Sequence, residues 1–288
     1  MTITLASDRM RVTMEPAFGA PISSLTDLRS GRQWLVEGPY LGQPGDEAGY
    51  GAAQAWAWDE CFPTIGKGSH PAWGALWDHG AVWGRPWQIA GEAEPGLCTA
   101  ACNAPDFVFE RVLILEGAAM TAQYRVTNRA ARPLPYLWNQ HALLATAPPD
   151  ELRLDGMPAL VTDGTHRDWP HHPARNLTKV GTLHEGLMQK SCALAPKGAA
   201  AEVVAQDGGI RFDWSEDLTA FGLWVDFGSW PQDRPIHQIA VVPATAMVDD
   251  LAQAERPGQL RWRLPVVEKG WSVRVPPTDE SVVKGALS

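Results

Sequence analysis

Apolar and polar residues alternate in short runs from one end of the chain to the other. Arg11–Met14, Phe107–Leu115, Thr121–Val126, Ala220–Val225, Ile236–Val242 and Trp271–Val275 are alternating or β-branched and have the length of strands, not of helices. Between them stand Gly and Pro clusters such as Gly38-Pro39, Pro44-Gly45, Pro148-Pro149 and Gly208-Gly209, which is the turn chemistry of a β sandwich. Two segments, Pro148–Leu152 and Asp249–Ala254, have the composition of short helices, and neither builds a βαβ alternation, so a Rossmann-type sheet is disfavoured. Arg167–Asn176, with Trp169, Pro170, His171, His172 and Pro173, is the least regular stretch and is predicted to be a long loop over one sheet face. The pattern predicts an all-β protein.

Length and composition narrow this further. All-β sandwiches reach 288 residues as one unit, and no internal repeat or low-complexity linker divides the chain, so residues 1–288 are expected to form a single domain. The formal net charge of -9, with no run of Lys or Arg, argues against duplex nucleic acid and anionic membrane as partners, because both require clustered positive charge. A neutral or weakly charged small molecule fits better. The N-terminus lacks a basic segment followed by an apolar one, and no window has the length of an apolar membrane span, so a cytoplasmic location is expected. Cys61, Cys98, Cys102 and Cys192 form neither a Cys-x-x-Cys pair nor a dense framework, which favours reduced thiols.

The segment 51–87 concentrates candidate chemistry. It carries Trp56, Trp58, Trp73, Trp77, Trp83 and Trp87 beside His70, His79, Asp59, Glu60, Lys67, Asp78 and Arg85. Flat aromatic faces next to hydrogen-bonding groups suit a sugar, which has apolar C–H faces and polar edges. Packing between sheets is the other use of such tryptophans. Two histidines stand out by their flanks: His79 between Asp78 and Gly80, and His141 after Trp138-Asn139-Gln140 at the end of a strand-like run. His171-His172, near His166, does not suit a metal, since neighbours on an extended chain point to opposite faces and no His-x-Glu or His-Glu-x-x-His spacing accompanies them. Neither a metal nor a cofactor is expected. A nucleophile elbow, a phosphate loop and a dinucleotide fingerprint are all absent from the sequence.

Four islands give the chain a resemblance to the aldose 1-epimerase, or galactose mutarotase-like, family. They are Glu15–Asp27; Phe62-Pro63 with Asp78-His79-Gly80 and Arg85-Pro86-Trp87; Trp138-Asn139-Gln140-His141; and Ile239–Pro243 followed by Asp249-Asp250-Leu251. The resemblance implies a β supersandwich of large antiparallel sheets with a sugar cleft, in which a histidine protonates the ring oxygen while a glutamate takes the anomeric hydroxyl proton. His141 matches the acid, and His79 a second polar contact. Trp58, Asp59, Asp78, Arg85, Trp138, Asp226 and Val242 are the associated candidate binding positions.

The sequence departs from the family where its base should stand. Val242 precedes Pro243 in place of the glutamate, and Thr64-Ile65 follows Pro63 where a pocket arginine is expected. Losing a general base costs roughly two to four orders of magnitude in rate. Asp78, Asp59, Glu60 and Asp226 are the carboxylates considered as substitutes. Three functions follow: a sugar isomerase with a rearranged base; a carbohydrate-binding or sugar-sensing protein that lost mutarotase activity; and lyase-type chemistry on a modified sugar, which rests on fold analogy alone.

Overall fold

A backbone that alternates apolar and polar side chains can bury one face of a sheet, and two such sheets can cover each other. The computed structural model, which describes residues 1–38, 50, 55–91, 94–233, 235–254, 263–264 and 268–276, is built in this way. One sheet has ten strands in the order Ile3–Ala6, Met10–Met14, Ile22–Asp27, Trp58–Cys61, Asn139–Leu144, His237–Ala244, Ala220–Phe227, Leu187–Leu194, Ala159–Thr162 and Thr165–Asp168. The second has eight: Glu151–Asp155, Ala200–Ala205, Gly208–Trp214, Glu268–Val275, Ala119–Asn128, Phe107–Glu116, Leu97–Asn103 and Gln88–Ile89. Every strand pairing within these two sheets is antiparallel. The all-β expectation and the large antiparallel sheets of the supersandwich are thus met.

The core lies between the two sheets. Phe107–Glu116 turns Phe107, Phe109, Arg111, Leu113 and Leu115 inward, and from the other sheet Trp58 meets Phe212 at 5.6 Å between ring centroids. Trp138 and Trp271 close the same layer at 5.0 Å. Part of the opposite face of the ten-stranded sheet is covered by smaller apolar groups, one of them around Cys61, Ile65, Leu137 and Leu251, another around Leu143, Ala240 and Val242.

Two expectations need correction. Pro148–Leu152 is not a helix: Pro148-Pro149 forms a turn that leads into the Glu151–Asp155 strand, whose Leu152 and Leu154 alternate into the core. Two prolines remove two backbone donors, and the leucines are spaced for a strand. Arg167–Asn176 is not one irregular loop either. Thr165–Asp168 pairs with Ala159–Thr162 around Asp163-Gly164, and His171–His172 pairs with Arg175–Asn176. Asp163 and Gly164 both take positive φ, 49° and 73°, as a two-residue hairpin turn requires. The helix predicted over Asp249–Ala254 is present as Leu251–Ala254, with the Asp250 carboxylate accepting from Ala252 N–H at 2.7 Å. The Pro44-Gly45 turn lies outside the described residues. All four cysteines are free. Among the described residues no helix is long and apolar enough to cross a membrane.

Candidate functional site

Antiparallel register lines up one residue from each neighbouring strand on a shared face. Asp59 pairs with His141, and the pairs Asn139–Ala244 and Ala142–Val241 bring Val242 opposite His141. Val242 pairs with Gly222, Gly222 with Cys192, and Cys192 with Val161. This row crosses six strands. From His141 to Val161 it lines a cavity of about 780 Å³. Leu143, Trp224 and Lys190 form a second row of the same wall, and Trp230, Tyr50, Ile65, His79 and the 246–250 segment complete the lining. A β-carbon at Gly222 would stand 3.3 Å from Val242 Cβ, so the missing side chain there leaves Val242 its room.

Two histidines meet at one end of the cavity, their ring centroids 5.1 Å apart and their planes at 78°. Each carries a carboxylate on Nδ1. His141 lies 3.2 Å from Asp59 Oδ1, and His79 lies 3.1 Å from Asp78 Oδ1. Asp59 is itself held, its Oδ2 accepting from Trp83 Nε1–H at 2.9 Å. Tyr50 stacks flat on His79, with centroids 3.7 Å apart and an interplanar angle of 9°. His79 has φ 62°, and its Nε2 is buried without a hydrogen-bond partner among the described residues.

Electrostatics separate these groups. Burial holds the His141 imidazole below its usual range, against the hydrogen bond and charge of Asp59, and the charges of His79 and Lys190 act in the same direction as burial. For Asp78, burial works to raise the carboxyl, but the hydrogen bond and charge of His79 outweigh it and the pKa falls. Lys190 forms an ion pair with Asp249 at the cavity edge, where Asp78, Asp163 and Asp250 also lie. Burial pushes the Cys192 thiol up, so it is not a reactive thiolate.

His141, His79, Asp78 and Val242 line the cavity as a group, and Asp59 stands directly behind His141. Trp58 and Trp138 face the core instead, because they fall on the inward phase of their segments. Arg85 is exposed and is not part of the cavity wall. Asp226 is buried, and its carboxylate accepts from Ser229 and Trp230 N–H at 2.8 and 3.3 Å, closing a turn. Glu60 points away from the cavity into the core. The tryptophans of segment 51–87 serve mainly as packing, and the indoles of the cavity are Trp224 and Trp230. Trp224 sits at the outward phase of an alternating strand, which is the signal that could have found it. Tyr50, Lys190 and Cys192 carry no comparable local signal.

No family model matches the chain, and neither does any curated protein. Solved structures do. A Synechocystis sp. PCC 6803 protein superposes with TM-score 0.74 at 16% identity, covering 97% of this chain and 96% of the other. A galactose mutarotase related enzyme from Lactobacillus acidophilus gives 0.72 at 11%, covering 97% and 98%, and a galactose mutarotase-like protein from Lactobacillus casei gives 0.72 at 15%, covering 96% and 100%. At such identities the likeness shows the fold alone.

Proposed function

We propose that the chain is an aldose 1-epimerase-like isomerase that interconverts the anomers of a free sugar, with His141 as the acid and His79 in place of the missing glutamate base. The observation that carries this reading is the pair of Asp–His couples on one cavity wall, Asp59–His141 and Asp78–His79, with their rings 5.1 Å apart. A carboxylate on Nδ1 fixes the ring's orientation and leaves Nε2 as the working nitrogen.

Ring opening requires a proton on His141 and a free lone pair on His79 Nε2. His141 gives its Nε2 proton to the ring oxygen as the C1–O bond breaks, and His79 Nε2 takes the proton of the anomeric hydroxyl, leaving an open-chain aldehyde. After rotation about C1–C2 both transfers reverse, so the pair returns to its starting state with the opposite anomer. A single proton on the pair is enough for the cycle, and the hydrogen bond and charge of Asp59 favour it on His141 against the burial and the His79 charge that oppose it. Trp224 and Trp230 offer apolar faces for the sugar's C–H surface.

Polarimetry or saturation-transfer NMR on a panel of free aldoses tests the reading. The expected result is faster equilibration for at least one sugar, lost in His141→Ala and in His79→Gln. Equilibration at the uncatalysed rate for every sugar would overturn it. Val242 favours a second reading, a carbohydrate-binding protein without turnover, since an aliphatic side chain stands opposite His141. Calorimetric binding on the same panel without acceleration would select it.

A further inference from the structure

The sequence holds no metal-binding spacing, yet folding brings three potential ligands together from separate places. We infer that Asp59, His79 and His141 form a binding site for a divalent transition-metal ion, with zinc the best match to the donor set.

Each of the three residues offers one ligand atom, and these atoms lie within 4.8 Å of one another. Two imidazoles and a carboxylate suit zinc and its first-row neighbours, and three protein ligands beside an open cavity leave a position for water or another oxygen donor. Bonds of about 2.1 Å in a tetrahedral arrangement put ligand atoms about 3.4 Å apart, so no pair of the three needs to close by more than about 1.4 Å.

Two further observations distinguish this cluster from a chance meeting of polar groups. His79 Nε2 is buried and has no hydrogen-bond partner among the described residues, while its Nδ1 is held by Asp78. A buried nitrogen without a partner is costly unless something accepts its lone pair. The outer contacts are also those of a metal centre. Asp78 orients one histidine, Trp83 Nε1–H holds the free oxygen of Asp59, and Asp59 and His141 are fixed as a cross-strand pair. The backbone of His79 is pinned as well, its N–H donating to Ile65 O at 2.8 Å.

The inference does not rest on the isomerase reading. It adds a constraint to it, because a bound cation occupies lone pairs that proton transfer between the histidines requires. Zinc is therefore expected to inhibit anomer interconversion if the chain performs it.

Cobalt(II) titration of the full chain, followed by d–d absorption and by zinc competition in calorimetry, tests the site. The expected result is one ion per chain, with affinity reduced at least ten-fold in His79→Gln and in Asp59→Asn and unchanged in the double variant His171→Gln/His172→Gln. Asp78→Asn, which keeps all three ligands, is expected to weaken binding by about ten-fold and supplies a second arm should a ligand variant fail to fold. Absence of binding at micromolar metal would overturn the inference, as would binding insensitive to the cavity variants and lost with the surface histidine pair. A chain that binds metal but accelerates no sugar overturns the isomerase reading and leaves the metal site standing.

Discussion

Asp59 and Glu60 are adjacent carboxylates on one short strand, and the pleat sends them to opposite sides of the sheet. Asp59 lies on the cavity side of the sheet, behind His141, which it holds while Trp83 holds it. Glu60 enters the core and accepts from Arg111 at 3.0 Å, Tyr124 at 2.8 Å and Trp138 at 3.1 Å. Arg111 is fully buried, lies over Trp87 at 5.3 Å, and also donates to Ala20 O. Both carboxylates are almost inaccessible to solvent, yet their surroundings give them different work. One stands behind a histidine that lines a space a ligand can enter, so it can orient that ring toward the space. The other has its oxygens fully engaged by donors and no route outward, so it can only fix the register of the two sheets against each other. Burial of a charged residue is therefore a poor guide to function in this protein. What lies on the far side of its partner decides.

The sharpest way to break this contrast is to remove Arg111. Arg111→Ala leaves Glu60 buried without its cation and is expected to cost about 3–5 kcal/mol in urea unfolding, whereas replacing both partners with apolar residues should cost less than the two single changes added together. On the cavity side, His141→Ala is expected to lower the rate of anomer interconversion by roughly 10²–10⁴-fold while shifting stability far less, and Asp59→Asn should follow it in the same direction. A cavity variant that unfolds the protein, or a core variant that spares it, would remove the distinction.

Titration offers a finer test, because the two sides respond to pH with opposite sign. Burial, partly offset by Arg111 and Tyr124, pushes Glu60 from 4.5 up to about 7. The folded state then keeps a proton that the unfolded chain has released, so this group's stabilisation is complete below about pH 4.5 and is lost as pH rises through 7, on the order of 3 kcal/mol at most. His141 is held below 6.5, so the unfolded chain binds the proton first on acidification and stability falls as pH drops below 6.5. Stability measured across pH 5–8 is expected to lose its alkaline decline in Glu60→Gln and part of its acid decline in His141→Gln. The smallest effect belongs to Arg85→Ala. Exposed and outside the cavity wall, it should change stability by no more than about 0.5 kcal/mol and leave sugar turnover within about two-fold.

Strand periodicity was legible because it is local: each of the six predicted runs overlaps a strand, and the pair of histidines could be singled out from their flanking residues. Facing direction was harder to read. Trp58 and Trp138 belong to the right segments but point to the core, since a one-residue phase error moves a side chain to the other face. Arg111 shows the reverse case. It occupies an inward position in an otherwise apolar alternation, and a cation at such a position signals a buried acidic partner, although nothing local names Glu60, 51 residues earlier. Tyr50, Lys190 and Trp230 reach the site only through long-range pairing, and sequence spacing carries no trace of that. The three-residue ligand set was invisible for the same reason.

The junction of Phe62 with Gly80 carries a wider consequence. Phe62 N–H donates to His79 O at 3.3 Å, Ala81 N–H donates to Phe62 O at 2.5 Å, and a β-carbon at Gly80, whose φ is 78°, would overlap the Phe62 carbonyl. Two stretches that look like separate islands in the sequence are therefore one mechanical part, a clasp that sets the height of His79 above the cavity floor. Substitutions at either stretch should be tolerated or rejected together, and within the intervening segment Ile65 and Asp78 are bound by the same constraint, since one holds the His79 backbone and the other its ring.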